Sequence, residues 1–307
     1  MAHVLVTGAL GTLGRATTAQ LIRDGHKVTS LDNRPAPDAW APHHVVADIR
    51  DPQQYRTTLA DCEALVHLAS LHGRDHMARF GFNDFWSVNV DGTLALYRAL
   101  KESAVSQVVL ASSMAVYGPI PSAPRSAWEI RDESMSTTSY DAYSLTKLTS
   151  ESIAEYTLAD AGILTTVLRL GHFTPAGLLH HGFRLLFGGL DIRDAAAAVA
   201  AALSRPPVGT NRHLNIHAAS PLPNRIDTLR DAPTAVLEEL FPQFMSTLAE
   251  RGEDPVAHLW GRSAWPIVHA ANEIGYAPAY DFDRFASDFL RGDLSGYRWL
   301  ELPRWGI

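Results

Sequence analysis

The chain is poor in cysteine, in basic charge and in uninterrupted apolar runs, and each shortage excludes a class of protein. One cysteine, Cys62, stands among 307 residues, so no disulfide can form within the chain, and the residue reads as a small buried apolar group. Lys and Arg number 26 against 33 Asp and Glu, a formal charge of −7 with no basic stripe, which argues against nucleic acid as a partner. No apolar run reaches the ~18 residues that a membrane-spanning helix needs. The apolar start, Met1 to Leu13, has no positive segment before it and is broken by glycines, so it does not read as a secretion leader. These shortages predict a cytoplasmic chain that neither crosses a membrane nor binds nucleic acid. No internal repeat or low-complexity tract occurs. A 46% apolar and 19% charged composition fits a folded enzyme of one large domain or two smaller ones.

What is present begins with an alternation. Short β-branched runs at His3–Thr7, Lys27–Asp32, His44–Asp48, Ala64–Ala69, Gln107–Ser113 and Ile163–Leu170 read as strands. Between them, Gly14–Asp24, Asp84–Leu100 and Tyr143–Ala161 read as helices, the first and last stopped by Gly25 and Gly162. An Ala-rich helix at Leu190–Leu203 and a seventh strand at His213–Ile216 follow. Strongly apolar strands alternating with helices predict a doubly wound α/β fold: a parallel sheet covered on both faces. After Ile216 the pattern gives way to short helices punctuated by Pro221, Pro223, Pro233, Pro242, Pro255, Pro266 and Pro278. The expected organisation is therefore a Rossmann domain of residues 1–170 and 190–217, with a smaller, discontinuous substrate lobe of 171–189 and 218–307.

The turn between the first strand and first helix reads Thr7-Gly8-Ala9-Leu10-Gly11-Thr12-Leu13-Gly14, a Gly-x-x-Gly-x-x-Gly spacing. Glycines permit a tight turn and close approach of backbone to a pyrophosphate, while the helix N-terminus offers N–H donors and a favourable dipole. Asp32 ends the second strand, eighteen positions after Gly14, where a carboxylate accepts from ribose hydroxyls and repels a 2′-phosphate. That favours NAD. Arg34, following Asn33, keeps NADP possible, because a nearby Arg can pair with the extra phosphate. Asp48-Ile49 ends strand three, where it either meets adenine or caps the turn. Leu68-Ala69-Ser70 ends strand four, small enough to let a dinucleotide lie across the strand ends. The candidate cofactor residues are thus Gly8, Leu10, Gly11, Thr12, Leu13, Gly14, Asp32, Asn33, Arg34, Asp48, Ile49, Leu68, Ala69 and Ser70, joined by Tyr143 and Lys147.

Tyr143-Ser144-Leu145-Thr146-Lys147 places a phenol and an ammonium at i and i+4 on one helix face. A phenol with a pKa of about 10 is a poor base at neutral pH. A neighbouring Lys147 cation and the positive nicotinamide ring are expected to favour phenolate and lower that pKa. Ser113, at the end of a strand, can donate to a substrate oxygen while Tyr143 takes or returns its proton.

With these residues in place the chain resembles the extended short-chain dehydrogenase/reductase family, of the NAD-dependent epimerase/dehydratase type. The shared motifs run in order: 7–14, Asp32, Asn89-Val90-Asp91-Gly92-Thr93, Ser112-Ser113-Met114-Ala115-Val116-Tyr117-Gly118 and Tyr143-x-x-x-Lys147. Asp191-Ile192-Arg193-Asp194-Ala195 and Ile274-Gly275-Tyr276-x-Pro278 follow them. The resemblance is strong over 1–216 and weak over 260–290. It implies a Ser113–Tyr143–Lys147 triad, with Lys147 also holding the nicotinamide ribose and Asn89 aiding a proton relay from within a helix. It further implies a homodimer made by helices such as 84–100 and 143–161.

The family's 4,6-dehydratases follow the catalytic hydroxyl with an Asp-Glu pair; here Met114-Ala115 stands there, which disfavours dehydration and looks more like the 4-epimerases. His172 occupies the position where family epimerases carry an Asn for the substrate diphosphate. The segment between Gly171 and Asp191 is short, a compactness similar to the uronate dehydrogenases. The expected activity is hydride transfer between nicotinamide and a secondary hydroxyl or ketone of a small sugar-like or polyol substrate. An NAD-dependent (nucleotide-)sugar 4-epimerase is the alternative, and a non-catalytic dinucleotide sensor the remote one. Candidate substrate anchors are Arg74, Ser112, Tyr117, His172 and Arg184, with His72 and His76 beside them. Arg74 and Arg184 suit a carboxylate or phosphate. Tyr117 either shapes the pocket or packs. The His180-His181 pair lacks the carboxylate or Cys partners and the spacing of a metal site, so no metal is expected.

Overall fold

A computed structural model describes residues 1–37, 43–72, 76–119, 128–258 and 263–301. Seven parallel strands form one sheet: β1 His3–Thr7, β2 Lys27–Asp32, β3 His44–Val46, β4 Ala64–His67, β5 Gln107–Ser113, β7 Leu164–Leu170 and β8 Arg212–Ile216. They are ordered β3-β2-β1-β4-β5-β7-β8. The order reverses between β1 and β4, which is where a doubly wound sheet opens its ligand crevice.

Alternation along the strands explains why both faces are covered. Val4, Val6, Val66, Val109, Ala111 and Leu168 face one core, shared with helices α1 (Thr12–Arg23) and α7 (Ile192–Ser204). Leu5, Leu65, Val108, Leu110 and Val167 face the other. There they meet α4 (Gly92–Leu100) and α5 (Ala142–Ala161). The alanines of α7, such as Ala195, Ala198 and Ala202, bring that helix close to the sheet. Asp141 caps α5 by accepting from the Ser144 N–H at 2.7 Å, and Gly162 ends it at φ 69°.

Several short elements were not foreseen, the helix α2 (Arg56–Ala60) among them. The helix expected over 84–100 is three pieces: α3 (Phe82–Trp86), a π-helical turn (Ser87–Asp91) and α4. A small second sheet pairs β6 (Glu129–Ile130) with β9 (Ser263–Ala264) in parallel. It has only two residues per strand, too few for an alternating pattern to show.

A separate aromatic core lies in the C-terminal part. Phe183, Phe187, Leu222, Phe244, Phe282, Phe285 and Phe289 belong to it. Phe187 and Leu222 lie outside the α-helices, and α6 (Leu178–Leu186), α10 (Pro242–Glu250) and α12 (Phe282–Arg291) supply the other phenylalanines. The short helices α8 (Ile226–Asp231) and α9 (Pro233–Leu240) add Leu229, Val236 and Leu237. The expected division between the two parts is less clean than the sequence suggested. Trp128 packs into this second core, whereas Ala270, Ile274 and Tyr276 around α11 (Val268–Ile274) pack against β8 and α7. Among the described residues no helix is long and apolar enough to cross a membrane.

Candidate active site

The glycine turn is built by crowding. Gly8 sits at φ +66°, and a Cβ there would lie 2.6 Å from the Ala69 nitrogen. A Cβ on Gly14 would lie 2.1 Å from the Gly8 carbonyl oxygen. Any side chain at either position pushes the first helix off the end of β4. Gly11, the N-cap of α1, carries no capping side chain, and the first N–H groups of the helix, from Thr12, Leu13 and Gly14, have no partner within it. A Cβ at Gly11 would meet only the Gly8 oxygen at 3.2 Å, so its absence keeps the outer side of the turn open. An open turn with unused donors fits an anionic pyrophosphate.

Asp32 lies beside this turn, nearly buried. Its Oδ2 accepts from the Leu10 N–H at 3.0 Å, and its Oδ1 accepts from the Arg34 N–H at 3.2 Å and Nε at 3.0 Å. Asn33 between them is exposed. Two of the expected adenine contacts are otherwise engaged. The Asp48 carboxylate is held by the Arg50 guanidinium, Nε to Oδ1 at 2.9 Å, which lowers its pKa. The Ile49 side chain is buried in the core against Gly92. Asp48 serves the turn in this structure, accepting from the Arg50 N–H at 2.9 Å as well, and its contact with adenine stays an expectation. Beyond β4, Leu68 and Ala69 pack against opposite faces of the sheet, and Ser70 follows half-buried.

Tyr143 stands in the first turn of α5 and Lys147 one turn later, its Nζ 5.8 Å from the centre of the Tyr143 ring. The Ser113 hydroxyl, at the end of β5, accepts from the Ala115 N–H at 3.2 Å and lies near enough to the phenol to lower its pKa. Burial pushes the phenol up to about 12, against the pull of the Ser113 hydrogen bond and with Asp141 and Tyr140 adding to the rise. The expected lowering by Lys147 does not occur. Its ammonium instead donates to the Ala111 carbonyl at 2.9 Å, and burial brings the amine down to about 8 against the charge of Glu151.

Asn89 lies in the π-helical turn, buried. Its amide donates to the Leu71 carbonyl at 3.0 Å and to the Thr146 hydroxyl at 2.9 Å, and its Oδ1 accepts from the Leu71 N–H at 2.7 Å. It thus fixes the loop after β4 to the tyrosine helix.

The substrate candidates scatter. Ser112 faces away from Ser113, as neighbours on a strand must, and donates to Glu151 at 2.5 Å. Tyr117 packs rather than shaping a pocket: its hydroxyl donates to Asn215 Oδ1 and accepts from Arg169, both at 2.8 Å. Both hydroxyls belong to a buried network, so Ser112 does not face the site and Tyr117 takes the packing role, one of the two expected of it. His172 pairs through its backbone with Gly188 and Leu190 beside the end of β7. Arg184 is buried and donates to the Thr174 carbonyl at 2.9 Å. Arg74 falls outside the described residues. The His72 N–H donates to His76 Nδ1 at 2.8 Å, and the two rings stand 4.9 Å apart. The His180-His181 pair splits: His181 is buried among Phe285, Tyr297 and Trp299, with Nε2 3.5 Å from Asp191, and His180 is half-buried.

Sequence reasoning missed the polar network beneath the site. Glu151 accepts from Arg169 Nη2 at 2.8 Å and Nε at 3.1 Å, both side chains nearly enclosed. Its signal was periodic: Glu151 continues the face of Tyr143 and Lys147 at i+8 and i+4.

The family model for the NAD dependent epimerase/dehydratase family matches residues 4–183. An uncharacterised Mycobacterium bovis protein is 34% identical over 114 residues, 36% of this chain but 12% of that protein. A UDP-glucose 4-epimerase of Yersinia pestis is 31% identical over 190 residues, 57% of this chain and 54% of the relative. The chain therefore spans about half or less of these relatives. Among solved structures, an L-threonine dehydrogenase of Clostridium difficile superposes with a TM-score of 0.70 at 20% identity, covering 96% of this chain and 98% of that one. An Agrobacterium tumefaciens short-chain dehydrogenase/reductase with bound NAD gives 0.67 at 20% identity, covering 96% and 99%. A mutated uronate dehydrogenase gives 0.65 at 20% identity, covering 95% and 86%. At such identities these structures speak for the fold alone.

Proposed function

The chain belongs to the NAD dependent epimerase/dehydratase family, and on that premise we propose that it is an NAD-dependent oxidoreductase acting on a secondary hydroxyl, or the matching ketone, of a small sugar-like or polyol substrate. The observation that carries this reading is the meeting of Ser113, Tyr143 and Lys147 at the carboxyl end of β5, beside an open glycine turn. When bound, the nicotinamide supplies a hydride acceptor or donor. The protein's own part is proton movement and placement. The Ser113 hydroxyl orients the substrate oxygen, and the Tyr143 phenol takes or returns its proton. Lys147 would hold the nicotinamide ribose, and its ammonium near the Tyr143 ring would favour the phenolate. Asp32 would hold the adenosine ribose, which supports NAD over NADP. The short 171–191 connection and the relatives' sugar substrates support a small polyhydroxylated substrate.

The second reading is a sugar 4-epimerase, favoured by the Yersinia pestis relative and by Met114-Ala115 after the serine. It uses the same residues and keeps its cofactor. Purified protein that releases NAD only on denaturation supports the epimerase; free exchange supports the dehydrogenase. The test is a panel of sugars, sugar acids and polyols with NAD, read by NADH absorbance, on wild type and Tyr143→Phe. Loss of proton transfer should cut turnover by about 10²–10⁴ while NAD binding holds. Full turnover by Tyr143→Phe overturns the assignment.

A further inference from the structure

Beneath the glycine turn lies a histidine with no assigned task. His67 ends β4 and is buried, as are Thr7, Thr93 and Asn89 around it. Its Nδ1 is 2.8 Å from the Thr7 hydroxyl, and its Nε2 is 2.9 Å from the Thr93 hydroxyl. The Thr93 hydroxyl donates its single proton to the Asn89 carbonyl at 2.6 Å. That commitment fixes the direction of every bond in the line. Thr93 has only lone pairs left for His67, so Nε2 must carry the imidazole proton. Nδ1 is then the acceptor, and the Thr7 hydroxyl donates to it.

Both ends of this line reach the proposed machinery. Thr7 is the residue before Gly8, and its hydroxyl also accepts from the Ala69 N–H at 3.4 Å. The Asn89 carbonyl lies in the π-helical turn, and it accepts from Ser150 of α5 as well, at 3.2 Å. The Asn89 amide continues to Thr146, whose hydroxyl donates to the Tyr143 carbonyl at 2.8 Å.

We propose that His67 is a positioning residue: as a neutral imidazole protonated on Nε2, it ties the root of the glycine turn at Thr7, through Thr93, to the Asn89 carbonyl, and so holds the cofactor cradle in register with the tyrosine helix. The inference rests on the proposed NAD-dependent function and deepens it, since it says what aligns the two halves of that site. Burial, with Lys147 adding to it, brings the imidazole down to about 3, so one tautomer serves across the working pH range. A neutral histidine suits this position because it donates and accepts at opposite edges of one rigid ring.

The test is NAD titration, by intrinsic tryptophan fluorescence, of wild type, His67→Leu, Thr93→Val and Thr93→Ser, each well below its melting temperature. Thr93→Ser keeps the hydroxyl and should bind as wild type does. Thr93→Val and His67→Leu should bind about tenfold more weakly, the loss of one or two net hydrogen bonds' worth of alignment, with near-UV dichroism unchanged. Lower melting temperatures with wild-type Kd in both variants reduce His67 to a core residue and overturn the inference alone. If His67→Leu does not fold, the Val/Ser pair decides by the same criterion. Wild type without measurable NAD affinity overturns the functional reading and this inference with it.

Discussion

Lys147 donates to the Ala111 carbonyl at 2.9 Å although its ammonium lies only 5.8 Å from the centre of the Tyr143 ring. The two groups are therefore poised rather than joined. Burial disfavours both charges at once, with the phenol at about 12 and the amine at about 8.

That arrangement predicts the direction of the pH dependence. As pH rises, the first proton to leave the Tyr143–Lys147 pair leaves near pH 8. The pair with one proton removed is the form able to take a proton from an alcohol, as phenolate beside ammonium. Oxidation should rise with pH to about 8 and level off above it, whereas reduction, which needs the fully protonated pair, should hold to about 8 and fall above it. Initial rates in both directions across that range check it, and Lys147→Met should move the inflection to higher pH. A flat oxidation profile removes the pair from the mechanism.

The Glu151–Arg169 pair predicts a stability effect rather than a chemical one. Arg169 spans Glu151 and Tyr117, and Glu151 also accepts from Ser112. Arg169→Met strands a buried carboxylate, at a cost of about 3–5 kcal/mol. Urea unfolding should show a lower midpoint with the slope unchanged, the midpoint shift multiplied by the slope giving that cost. Glu151→Gln/Arg169→Met together should recover part of the loss, because a neutral amide needs no counter-charge. A single variant as stable as wild type makes the network dispensable.

Much of this was legible before any coordinates. The strands and the glycine turn declare themselves because a parallel sheet buried on both faces needs continuous apolar runs, and because only glycine tolerates the contacts at positions 8 and 14. The Tyr143–Lys147 spacing is a local helical relation and was equally readable. Partnerships across the chain were not. Ser112 looked like a site residue by adjacency to Ser113, yet the strand pleat turns it toward Glu151, 39 positions away. Tyr117 meets Asn215 at a separation of 98, beyond any local pattern. The Lys147 ammonium is held by the Ala111 carbonyl, 36 positions away on β5, a partnership equally beyond local reach.

Buried imidazoles set the acid limit of the fold. His67 at about 3 and His217 at about 4 stay neutral when folded, whereas unfolded they take protons near 6.5. From pH 6.5 down to 4 the unfolded chain binds more protons at these groups, so each costs about 1.4 kcal/mol of stability per pH unit lost. Asp194 opposes them: burial raises it to about 6 from 3.8, so below pH 6 the folded chain holds a proton the unfolded one releases. His180 and His213 are lowered as well and Asp283 is raised, so imidazoles outnumber carboxyls and a net loss of stability remains. Melting temperature should fall with pH across this window, and His217→Gln should flatten the fall. A slope unchanged in that variant assigns the acid limit elsewhere.

Asp32 and Arg34 together make cofactor choice the sharpest test of the glycine-turn reading. The carboxylate is nearly enclosed and already accepts from Leu10 and Arg34, while the guanidinium lies 40% exposed at the mouth. In the intact pair the carboxylate answers for ribose hydroxyls, and the guanidinium is neutralised by it. Asp32→Ala removes the acceptor and releases the cation in one step. NAD should then bind about ten- to a hundredfold more weakly, the range expected for losing a charge-assisted hydrogen bond or two. NADP should weaken less or tighten, because Arg34 gains a phosphate partner where it loses a carboxylate. Adding Arg34→Met should remove that relative gain while leaving the NAD loss in place. Competition titrations with NAD and NADP on wild type, the single and the double variant measure the ratio directly. An NAD/NADP ratio that ignores both substitutions would mean that the adenosine half lies elsewhere, and with it the cradle from which the tyrosine's proposed role is argued.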